Sequence, residues 1–149
     1  MKVTEEGKIL NELIEVNSEA CSFYHEAADK IAIPQAERAL HDLERIHTSI
    51  VEGLGIAAYR NGDAIILRDT PAVFGRLRTS MPIPVDYRLV HAVENAENRC
   101  IEILEKAIDS DEVSVDIKMH VLEAVTMLQD RHEYIHRLRD VAASSGRAA

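Results

Sequence analysis

The chain has 149 residues, of which 46% are hydrophobic and 29% charged, with a formal net charge of −9. This balance excludes a disordered polymer and supplies enough apolar material for one core without disulfide staples. The acidic excess argues against nucleic acid as a partner, because holding a phosphate backbone requires clustered Lys and Arg.

Aromatic residues make up only 4% and Trp is absent, so the core must be built from Leu, Ile, Val and Ala, a composition suited to helix-on-helix packing. Cys21 and Cys100 are the only cysteines. They lack the spacing of a metal or disulfide framework and read as buried thiols in a reducing compartment. The N-terminus shows no basic segment followed by an apolar stretch, and no apolar run approaches the ~20 residues of a spanning helix. The expectation is a cytoplasmic protein with no membrane partner.

From about Lys8 to Ile31, Leu10, Leu13, Ala20, Tyr24, Ala27 and Ile31 recur at helical intervals, with Asn17 a polar exception in the stripe. Ile33-Pro34 interrupts, since the residue before proline is pushed out of the α region. A second helix carries Ala36, Leu40, Leu43, His47, Ile50 or Val51, Leu54 and Ala57, and stops at Arg60-Asn61-Gly62-Asp63. The stretch from Asn61 to Pro84 holds three prolines and two glycines, with a short helix predicted over Ala72 to Arg78 after Thr70-Pro71. A connection of this length has the reach to cross a bundle from end to end.

Asp86 is placed to cap a third helix to about Ile108, with Val90, Val93, Glu97, Ile101, Leu104 and Ile108 inward. After the polar turn at Asp109-Ser110-Asp111-Glu112, a fourth helix presents Ile117, Val121, Ala124, Val125, Leu128, His132 and Ile135, with a frayed tail from about residue 141. Short, long and short links between four amphipathic helices predict a single all-α domain, a four-helix bundle with a long crossover between helices two and three.

Chemistry centres on Glu44 and His47, a Glu-x-x-His pair whose members project from one side of a helix and can grip one ion. Tyr24-His25-Glu26-Ala27-Ala28, Glu44-Arg45, Glu94-Asn95-Ala96-Glu97 and the stretch from His132 through Arg139-Asp140 resemble a bacterial family of ferritin-like domains of unknown function. The resemblance covers most of the chain and implies the ferritin-like bundle. Di-iron members of that superfamily take one Glu from each of two helices and a Glu-x-x-His from each of the other two.

Reflection about the turn near Ile33 sets His47 level with Glu19 and Glu26 level with Leu40, which favours Glu19 as the ligand from helix one. Glu97 lies on the inward stripe and Glu94 one turn away. His132 is inward but follows Gln129 instead of a glutamate, while the true Glu133-x-x-His136 points to the stripe edge. The candidate metal site is therefore Glu19, Glu44, His47, Glu94 or Glu97, and His132. Iron is the expected ion, as a two-ion centre capable of ferroxidase-like oxidation, with manganese or zinc as alternatives.

Three rival readings come from other residues. His132-x-x-x-His136 has the spacing of a hemerythrin-like histidine pair, but His41, His47, His91 and His120 do not supply its partners. A phosphotransfer histidine at His47 lacks the neighbouring lysine and close glycine. The third reading is a metal-free bundle that assembles with a second copy or binds a partner, through Ala57-Ala58, Ile65-Ile66-Leu67 and Val73-Phe74.

Overall fold

The computed structural model describes residues 4–62, 74 and 85–147, with side chains described as far as residue 144. Among these residues there are five helices and no strand: α1 (Glu5–Asp29), α2 (Pro34–Arg60), α3 (Tyr87–Ile108), α4 (Val115–Gln129) and α5 (His132–Arg147). The molecule is all-helical. None of these helices is long and apolar enough to cross a membrane.

Local chemistry sets the helix ends. Thr4 Oγ1 accepts from the Gly7 amide at 2.9 Å, Asp86 Oδ1 from Leu89 at 3.0 Å and Ser114 Oγ from Ile117 at 3.4 Å, each satisfying an amide that the first turn leaves open. Ile33 is extended, at φ −92° and ψ 111°, and Pro34 opens α2, where its missing N–H costs nothing. Past the end of α2, Gly62 takes φ +71°, a left-handed conformation open to glycine without penalty.

The predicted stripes are the observed core. Leu10, Leu13, Asn17, Ala20, Tyr24 and Ala27 of α1 are buried, as are Leu40, Leu43, His47, Ile50, Leu54 and Ala57 of α2. On α3 the inward face is Val90, Val93, Ala96, Glu97, Cys100, Leu104 and Ala107, and Ile101 and Ile108 are only partly buried.

Cross-links give the packing order. Cys21 meets Thr48 at 3.4 Å and His25 meets Glu44 at 3.1 Å, so α1 and α2 run antiparallel. Tyr24 meets Glu97 at 2.5 Å and Cys100 meets Asn17 at 3.6 Å, so α3 also runs against α1. Arg131 bonds Asn98 at 2.6 Å and Arg139 pairs with Glu94, seating α5 on α3, while Arg137 reaches Asp42 of α2 at 3.1 Å.

The predicted fourth helix is two helices. At the junction Asp130 and Arg131 donate to Met127 and Leu128, three residues back, and this tightened turn shifts the phase of α5 relative to α4. The buried stripe continues from Leu128 to Arg131, Ile135, Leu138 and Ala142. His132, expected inward, is exposed. α5 also continues to Arg147 and buries Val141 and Ala142, where fraying was expected from about residue 141.

The Ile65–Leu67 run, the short helix predicted over Ala72 to Arg78 and most of the predicted crossover lie outside the described residues. Phe74 is described and fully buried, as are Ala57 and Ala58, so these three belong to the chain's own core.

Candidate functional site

α1, α2 and α3 each send polar side chains into the centre of the core, where Asn17, Tyr24, His47 and Glu97 are all fully buried. Burying such groups is costly unless each finds a partner, and here they find one another. Asn17 Nδ2 donates to the Leu13 carbonyl at 2.8 Å, which fixes the amide and turns Oδ1 toward His47 Nδ1 at 2.7 Å. Nδ1 therefore carries a proton and donates it.

On the other side of the ring, His47 Nε2 lies 2.8 Å from Glu97 Oε1, and Tyr24 Oη donates to the same oxygen at 2.5 Å. Two facing lone pairs would repel, so one proton sits between Nε2 and Oε1, on one atom or the other. In either form the His47–Glu97 pair carries no net charge. Glu97 Oε2 is buried with no hydrogen-bond partner among the described residues.

Aromatic rings wall this cluster. Tyr24 stacks on His47 with centroids 5.7 Å apart, and Phe74 stands edge-on to the imidazole at 5.6 Å. The Phe74 amide donates to the Glu19 carboxylate, which anchors that ring from α1. Burial, then the Glu97 charge, push the Tyr24 phenol well above its ordinary range. The same two causes in the same order raise the Cys100 thiol. The Arg131 charge opposes both shifts, so its guanidinium lies within electrostatic reach of the cluster.

Of the six predicted ligands, His47 and Glu97 come together and the other four do not join them. Glu44 stands on the outer seam of α1 and α2, where Oε2 meets His25 at 3.1 Å and Oε1 meets His41 at 3.2 Å. Glu94 is held in its ion pair with Arg139 on the rim of α3. Glu19 is half-buried and engaged with Phe74. His132 is exposed at the start of α5. Reflection about the turn missed by two residues: the α1 residue level with His47 is Asn17, not Glu19.

The comparisons with known proteins add no assignment: no family model matches the chain, and no curated protein matches it.

A two-ion centre needs several carboxylates at one depth. The cluster offers one carboxylate, one imidazole, an amide and a phenol, with a guanidinium close by, and two divalent ions added to that set would leave a large uncompensated buried charge. The residues present do not fit a di-iron group. Among the described residues, no group of three or more His, Cys, Asp or Glu side chains is placed to hold a metal ion.

The sequence expectation left Asn17 and Cys100 out of the site and placed Tyr24 on the helix-one stripe without a role in it. The signal for Asn17 was present: it is a polar residue inside an apolar stripe, the same criterion that singled out Glu97.

Proposed function

We propose that this chain is a ferritin-like helical bundle that works by binding, without a di-iron centre, and that its buried polar cluster locks three helices together. The observation that carries this reading is the mutual engagement of His47 and Glu97 at 2.8 Å, with Tyr24 on the same carboxylate oxygen and Asn17 behind the ring. His47 Nε2 and Glu97 Oε1, donors a metal would need, are already spent on each other. The ferritin-like topology is supported by helix direction: α2 and α3 both run against α1 and are therefore parallel.

The binding partner we favour is a second copy of this chain, docked on α4. Val115, Met119 and Leu122 are 74%, 66% and 57% exposed and share the face opposite the buried Ile117, Val121, Ala124 and Leu128. Lys118 borders this stripe on one edge, Asp116 and Glu123 on the other. A second copy related by a two-fold axis parallel to α4 therefore brings opposite charges together on both edges.

A second reading is favoured by one observation, the partnerless Glu97 Oε2. In it a single transition-metal ion replaces the shared proton between His47 and Glu97, with Asn17 orienting the imidazole. Elemental analysis and sedimentation of the untagged protein from iron-supplemented cells test both readings. The first predicts negligible metal and a dimer that Met119→Glu converts to monomer. One ion per chain, lost in Glu97→Ala, supports the second. Two ions per chain, or a monomer at all concentrations, overturns the first.

A further inference from the structure

A cleft of about 560 Å³ opens between α3 and α5, lined in part by Glu94, Asn98, Arg131, His132, His136 and Arg139. It lies outside the polar cluster, and its size is that of a site for a metabolite-sized ligand.

Arg131 is the feature that asks for a ligand. Its side chain is only 8% exposed, yet no carboxylate among the described residues forms an ion pair with it. Nη1 donates to the Leu128 carbonyl at 3.0 Å and Nη2 to Asn98 Oδ1 at 2.6 Å, both neutral acceptors, and Nε has no partner. A buried cation without a counter-charge is costly. Glu97 is not bonded to it: Oε1 is engaged by His47 Nε2 and the Tyr24 hydroxyl, and Oε2 has no partner among the described residues.

The acids around the cleft are also committed. Glu94 is paired with Arg139, and Glu133 with Arg137 at 2.7 Å. Asp140 faces His136 at 3.8 Å. The cleft further holds the N-terminus of the 16-residue α5. Arg131 precedes that helix; its carbonyl accepts from the Tyr134 and Ile135 amides, but its side chain has no acceptor with which to cap the turn, and the positive end of the helix dipole there favours an anion.

We infer that this cleft binds a small molecule through an oxyanion, a carboxylate or a phosphate, held against the Arg131 guanidinium and the first turn of α5. His132 and His136 flank the anion, and the remaining volume takes the body of the ligand.

The test is titration of the ¹⁵N-labelled full chain with inorganic phosphate and, separately, with succinate, at constant ionic strength set by sodium chloride. Saturable shifts in the amides from Arg131 to Ile135 are expected, abolished in Arg131→Met. Should that variant fail to fold, His136→Glu decides alone, because the His136 side chain is 71% exposed and the change only adds a repelling carboxylate. It is expected to weaken binding at least tenfold. Response to phosphate alone assigns a phosphate ester, response to succinate alone an organic acid, and response to both supports the shared oxyanion site. The inference is overturned by no saturable response to either anion, or by equal responses in the wild type and His136→Glu.

Discussion

Glu44 and His47 leave α2 three residues apart and enter opposite environments. His47 is sealed in the core with Asn17, Tyr24 and Glu97, each hydrogen bond between fully buried atoms. Glu44 stands at the outer seam between His25 and His41, whose side chains are 61% and 39% exposed. Both groups are histidine–carboxylate assemblies of similar contact distance. Their energetics differ because water competes at the seam and not in the core. A shared motif is thus not a shared site: three residues turn a helix through 300°, and the remaining 60° separates the inward stripe from its rim.

The largest break in this comparison is expected from truncating the inner pair. His47→Ala or Glu97→Ala strands a buried polar partner and should cost about 3–5 kcal/mol in urea unfolding. Glu44→Ala should cost less than about 1 kcal/mol, as exposed ion pairs do. Equal losses at the two positions would remove the distinction.

Alkaline unfolding sharpens the same contrast. Tyr24 and Cys100 keep their protons in the folded protein above their ordinary values of 10.0 and 9.0, so the unfolded chain gives up protons first. Their contribution is full below about pH 9 and fades as pH rises, at about 1.4 kcal/mol per pH unit for each group once it titrates in the unfolded chain. Tyr24→Phe should lower stability by about 1.5–3 kcal/mol at neutral pH, through the lost bond to Glu97, and should remove one group's share of that slope. Denaturant midpoints measured from pH 7 to 11 check both effects. An unchanged slope in Tyr24→Phe would contradict the assignment.

The smallest effect is kinetic. Cys21 is half-buried and bonded to Thr48, whereas Cys100 is sealed behind Asn17, and burial raises both thiols. Iodoacetamide should label Cys21 slowly in the native protein and Cys100 only after unfolding. Mass spectrometry of the labelled peptides reads this out, and native labelling of Cys100 would mean that the cluster opens.

Much of the helical layout was legible in the amino acids. Pro34, Gly62 and Asp86 mark ends that backbone sterics and capping enforce, and the stripes on α1 and α2 are buried as their spacing predicts. Glu97 and His47 were each readable as polar residues on an inward stripe. Two things were not legible. After Leu128 the stripe could step three residues or four, and the tightened turn at Asp130 selected Arg131 over His132, a choice that periodicity leaves open. The helix-one partner was also sought among acids, because a metal was expected, whereas the site had settled on the amide of Asn17. A neutral acceptor suits a cluster that balances its own charge.

The most direct measurement is the long-range ¹H–¹⁵N spectrum of the histidine rings, before and after one equivalent of zinc. The account predicts that His47 Nδ1 carries its proton throughout and that Nε2 stays in its hydrogen bond with Glu97, unchanged by zinc. A zinc-dependent shift of Nε2 to a metal-bound value, or a His47 ring with a bare Nδ1, would contradict it.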